Sequence, residues 1–249
     1  MLVLLGHCAM ARPQDSTKAA PQNPSPMADE ARKHERIEKK EYAGIRFELR
    51  EFLSKSVQLF VPQKSLKATT FDLLVHFNGA PYVVEFAATK YRRDIIAATV
   101  SIGSRSEVYN NAFRDTTRFR SLVDAMIAET KKQLKHNVKL GRVILSGFSA
   151  GYGAIRRIIS SEWNSARVDA ILLLDGIHAS YVPEGKVLAA AGRIDSVDLF
   201  PYVKYARDAS AKHSKKRFMI AHSEIFPGTY ASTTEATDYL LHTLDMKRT

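Results

Sequence analysis

A chain of 249 residues, 45% hydrophobic and 25% charged, can bury one large core, and its only cysteine, Cys8, leaves no partner for an internal disulfide. No run approaches the roughly 18–20 apolar residues that a membrane-crossing helix needs. The net charge of +11 is spread over clusters at Arg32–Lys40, Tyr91–Arg93 and Lys212–Arg217, without zinc spacing or an aromatic RNA-binding signature; it reads as solvated basic faces rather than a nucleic-acid surface.

Residues 1–11 pair an apolar patch, Met1–Leu5, with the small-x-small pattern Ala9-Met10-Ala11. That is the tail of a secretory signal without its basic start, and it makes a secreted or periplasmic location the expectation, a cytoplasmic one the alternative. Residues 12–41 carry Pro13, Pro21, Pro24 and Pro26 among polar and charged residues and read as a linker. A single folded domain is expected over 42–249.

Ile45–Phe52 and Val57–Val61 have strand periodicity and suggest an antiparallel hairpin. Phe71–Phe77 is a nearly continuous apolar run, the pattern of a buried parallel strand. Tyr82–Ala87 fits a helix start or a strand, and Asp94–Ile102 the next strand. Residues 103–117 read as a polar loop. Phe119, Leu122, Val123, Met126, Ile127 and Leu134 form one stripe of a helix. Arg142–Leu145 is a strand, Ala150–Ser161 a helix, and Val168–Leu174 a strand. An irregular excursion follows over 176–197, then a helix over Asp198–Lys212 and a strand over Arg217–Ala221. Ser232-Thr233-Thr234-Glu235 is a capping box opening a last helix. Strands alternating with helices after a hairpin predict an α/β class: a doubly wound, mostly parallel sheet whose site lies at the strands' carboxyl ends.

At one such end stands Gly147-Phe148-Ser149-Ala150-Gly151, between Val143-Ile144-Leu145 and a helical run. This spacing places a serine at the tip of a tight strand-to-helix turn, its hydroxyl raised into a cleft. At the end of the Phe71–Phe77 strand comes Asn78-Gly79-Ala80-Pro81, which a plain Asn-Gly turn also explains. Metal chemistry finds no His-x-x-x-His pair, and a nucleotide site finds neither a phosphate-loop lysine nor Gly-x-Gly-x-x-Gly. No cofactor is expected.

These two motifs and the order of elements make residues 42–249 resemble the α/β-hydrolase fold family. The resemblance implies a serine hydrolase of carboxylesterase type, with a small-molecule ester as substrate and an acyl-enzyme on Ser149. It implies oxyanion donors in the amides of Ala150 and Ala80, with Asn78 standing where the family's loop carries histidine; each donor is commonly worth ~3–4 kcal/mol. For the acid, Asp175 ends one strand and Glu224 follows the next. For the base, His222 lies past Asp175, but His222-Ser223-Glu224 also resembles the tip that precedes the family's last strand. Two readings therefore stand: a compact triad of Ser149, Asp175 and His222, or a fold lacking the last strand and its histidine. His178 is an alternative base or a pocket residue with Asn78 and Tyr152, and Arg105, Tyr109 and Tyr181 are further candidates for the wall. The rival reading is a catalytically incomplete binding protein of the same fold.

Overall fold

β-Branched and aromatic residues at alternating positions build two N-terminal strands, β1 (Gly44–Leu49) and β2 (Val57–Pro62), paired antiparallel from Gly44↔Pro62 to Leu49↔Val57. A computed structural model gives this arrangement and describes residues 37–247; the signal-like residues 1–11, Cys8 and the linker through residue 36 lie outside the described residues. The remaining strands are β3 (Thr70–Phe77), β4 (Ile95–Val100), β5 (Lys139–Phe148), β6 (Ala170–Leu174), the short pair β7 (Tyr181–Val182) and β8 (Arg193–Ile194), and β9 (Arg217–Ala221). The main sheet runs β1-β2-β4-β3-β5-β6-β9; β2 is antiparallel to both neighbours, and β4, β3, β5, β6 and β9 are parallel.

Helices α1 (Pro81–Lys90), α2 (Ser106–Ala112), α3 (Arg118–Leu134), α4 (Tyr152–Ile159), α5 (Glu162–Arg167), α6 (Ser196–Ser210) and α7 (Thr233–Thr243) complete the chain. Period-two alternation divides the sheet between two cores. Phe71, Leu73, Val75 and Phe77 of β3 join a large cluster with apolar faces of α3, α4, α6 and α7. Val84 and Ala88 of α1 cover Phe60, Ile95 and Ala97 on the other face.

That second face is incompletely covered. Ile144, Leu172 and Leu174 are part-exposed, and Met219 is half-exposed; none belongs to either cluster. Parallel strands are ordinarily buried on both sides. At the opposite end of β3 from its site loop, the buried Asp72 accepts hydrogen bonds from Tyr91, Arg93 and Arg142. Part of the Tyr91–Arg93 cluster is thereby paired with a buried carboxylate.

The expected elements recur, with one helix added and with the helix of the two readings of Tyr82–Ala87. Residues 103–117 contain α2, which packs its Ser106 carbonyl onto Gly153 of α4. Tyr82–Ala87 is helical, with Pro81 at the first helical position fixing the backbone for entry. The excursion after β6 is pinned by Asp198, which accepts from the Ser180 amide at 2.8 Å and from Arg156 at 2.6 Å. No eighth strand joins the sheet among the described residues.

Candidate active site

β5 ends at Phe148, Ser149 takes φ 45°, and a 3-10 turn over Ser149–Gly151 leads into α4. A non-glycine residue at positive φ is strained, and such strain persists only where neighbours enforce it. Here β3 does so. A methyl group on Gly151 would run into the Phe77 carbonyl oxygen, so the start of α4 is pressed against the end of β3.

Pairing of Phe77 with Gly147 brings the loop after β3 beside this turn. Asn78, at φ 65°, donates from Nδ2 to the Phe148 carbonyl at 3.0 Å and from its amide to the Val100 carbonyl at 2.9 Å. Asn78 thus ties the two turns together. Tyr109 is fully buried and donates to the Gly103 carbonyl at 2.9 Å, with Asn78 Oδ1 at 3.3 Å. It supports the loop, which corrects its assignment to the pocket wall.

Beneath the loop, His76 Nδ1 lies 3.0 Å from Ser146 Oγ, its partner in register on β5. Burial pushes His76 down to about 4, with a hydrogen bond from the ring to the Asn78 backbone offsetting part of the shift. An unfolded histidine titrates near 6.5, so on acidification the unfolded chain binds a proton that the folded chain refuses. Stability is therefore full above pH ~6.5 and falls below it, by about 2 kcal/mol between pH 7 and pH 5. Denaturant unfolding at both values checks this: His76→Gln should lose about that much less than the wild type.

Asp175 follows β6 at φ 47°, and its Oδ1 accepts from the Ser223 amide at 3.0 Å, Ser223 Oγ at 2.9 Å and Thr233 Oγ1 at 3.0 Å. The next residue, Gly176, lies on the serine turn; a Cβ there would stand 2.6 Å from the Ser149 carbonyl oxygen and 3.0 Å from its nitrogen. His178 follows on the same loop. Its Nδ1 is 3.1 Å from the Ala231 carbonyl, and its ring meets Tyr152 and Tyr230 edge-on at 5.3 and 4.9 Å. A carbonyl can only accept, so Nδ1 carries the proton and Nε2 keeps its lone pair. Burial lowers the His178 pKa, while the Ala231 carbonyl and the charge of Asp175 pull it partly back.

His222 is anchored one strand further away, with Nδ1 3.1 Å from the Ser223 carbonyl and 3.2 Å from Thr234 Oγ1. Glu224 is exposed. Tyr181 is buried and donates to the carboxylate of Glu235 inside the α7 capping box, so it too leaves the candidate wall. Tyr152 reaches Ser106 Oγ at 3.2 Å, and Arg105 is exposed nearby on the start of α2. Ser101, Ser223, Thr233 and Tyr230 escaped the sequence reading, since each meets the site across strands or loops distant in the chain. A surface cavity of about 1040 Å³ lies between α5, α6 and α7, beside Glu162, Phe200 and Tyr239. It contains none of these residues, which gather at the carboxyl ends of the strands.

No family model matches the chain, and no curated protein matches it by sequence. Among solved structures it is similar to an acylaminoacyl peptidase of Pyrococcus horikoshii at 16% identity and TM-score 0.45, over 84% of this chain and 38% of that one. It is similar to an S-formylglutathione hydrolase of Agrobacterium tumefaciens at 12% identity and TM-score 0.47, over 85% and 87%. An enterobactin esterase of Shigella flexneri aligns at 10% identity and TM-score 0.49, over 82% of this chain and 51% of that one. The chain therefore spans about two fifths of the first protein and half of the third. Its own strand order, antiparallel second strand and strained serine turn after β5 make the architecture α/β-hydrolase-like.

Proposed function

We propose that the protein is a serine hydrolase acting on carboxylic esters of small molecules, with Ser149 as the nucleophile. One observation carries the reading: a serine held at φ 45° between strand and helix, with the Asn78–Ala80 loop bonded to the residue before it. In the proposed cycle Ser149 Oγ attacks the ester carbonyl carbon and gives its proton to an imidazole Nε2. The amides of Ala80 and Ala150 receive the developing oxyanion. The imidazolium returns the proton to the leaving alcohol, and water then releases the acyl group by the reverse sequence.

Of the two histidines, His178 is the better base. Its loop begins against Ser149, its ring rests on the helix that follows Ser149, and burial keeps it neutral. The Ala231 carbonyl fixes its tautomer, a task that a carboxylate performs in a Ser-His-Asp triad. Asp175 acts through charge on this loop. A second reading, a binding protein of the same fold without turnover, draws on Asp175 being occupied by Ser223 and Thr233.

Labelling separates them. Incubation of the intact chain with a fluorophosphonate should give one covalent adduct, on the peptide containing Ser149. Folded protein that stays unlabelled would refute the hydrolase reading.

A further inference from the structure

We infer that Ser101 is a positioning residue that aims the Ala80 amide at the serine turn; the assignment rests on the hydrolase reading above. Ser101 follows β4, and its hydroxyl grips Gly79 at both polar groups, accepting from the Gly79 amide at 3.1 Å and donating to the Gly79 carbonyl at 2.7 Å. A hydroxyl is among the few side-chain groups able to do both at once.

The consequence follows from peptide geometry. The Gly79–Ala80 bond is trans, so the Gly79 carbonyl and the Ala80 N–H point in opposite directions. Since β3 lies between β4 and β5, holding the carbonyl toward the β4 side directs the Ala80 N–H toward the β5 side, where Ser149 begins. Two further contacts stop the loop from rotating. Asn78 binds the Phe148 carbonyl, and the His76 ring occupies the space that a Gly79 side chain would fill. Without Ser101 the Gly79 carbonyl loses its anchor, and the peptide plane that carries the donor can swing.

The test is steady-state hydrolysis of p-nitrophenyl acetate by the full chain and its variants. Ser101→Ala should lower kcat ~10–100-fold while KM stays within about twofold, because a misaimed donor costs the transition state rather than the bound substrate. Affinity for a boronic acid that forms a tetrahedral adduct on the serine should fall in parallel. Ser101→Thr, which keeps the hydroxyl, should retain most of kcat. Unchanged kcat in Ser101→Ala, or a loss that Ser101→Thr does not recover, would overturn the assignment. Wild-type protein without Ser149-dependent turnover would instead overturn the hydrolase reading, and this assignment with it.

Discussion

Ser149→Ala should remove ester hydrolysis, lowering kcat/KM by about four powers of ten or more, to the level that an oriented but nucleophile-free site can reach. The size follows from the role. The other site groups, oxyanion amides and imidazole, serve a covalent step that no longer exists, and their contributions are lost together rather than in turn. The substitution is also a clean one. Alanine meets the same backbone strain at φ 45° as serine does, and among the described residues the Ser149 hydroxyl makes no hydrogen bond on which the turn depends, whereas Asn78 and the Phe77–Gly151 contact do hold it. The variant should therefore unfold at nearly the wild-type denaturant midpoint. Turnover surviving at the wild-type rate would show that the strained serine is structural and that the reaction, if any, is performed elsewhere.

What could be read from the sequence was local. The Gly-x-Ser-x-Gly turn, the Phe71–Phe77 strand and the capping box at Ser232–Glu235 are specified by residues within a few positions of one another, and each forms where expected. Helix α2 was hidden because Ser-Glu-Val-Tyr-Asn-Asn-Ala has weak helix propensity; its packing on α4 supplies what propensity does not. Tyr109 and Tyr181 looked like pocket residues because they lie in the segments 103–117 and 176–197, yet their hydroxyls are spent on Gly103 and Glu235 inside the fold. The contacts that arrange the site join chain positions 22 to 70 residues apart: Ser101 with Gly79, Ser223 with Asp175, Ala231 with His178, and Asn78 with Phe148. Only the strand order β4-β3-β5-β6-β9 brings them together, and no local pattern encodes that order. The incomplete cover over Leu172 and Met219 is equally silent, since an Ile-Leu-Leu-Leu run reads as buried whether or not a helix lies above it.

Replacing the two histidines should give unequal results. His178→Ala is expected to lower kcat/KM ~1,000-fold at neutral pH, within the range that a positioned general base contributes. His222→Ala should cost less than about tenfold, because its Nδ1 is committed to the Ser223 carbonyl and Thr234 Oγ1 in the β9–α7 connection. The pH profile provides an independent check. A base must be neutral to accept the serine proton, so activity is full above its pKa and is lost as pH falls through it. Burial depresses His178, so the acid limb of kcat/KM should lie below the ordinary histidine value of about 6.5. A limb above that value would count against His178, and the reverse order of the two variants would transfer the role to His222 and restore the compact triad. The expected order also bears on speed. With a neutral carbonyl at Nδ1 in place of a carboxylate, the imidazolium formed in the transition state gains only the more distant charge of Asp175. Turnover should accordingly be slower than a full triad supports, and Asp175→Asn should reduce it further without altering KM.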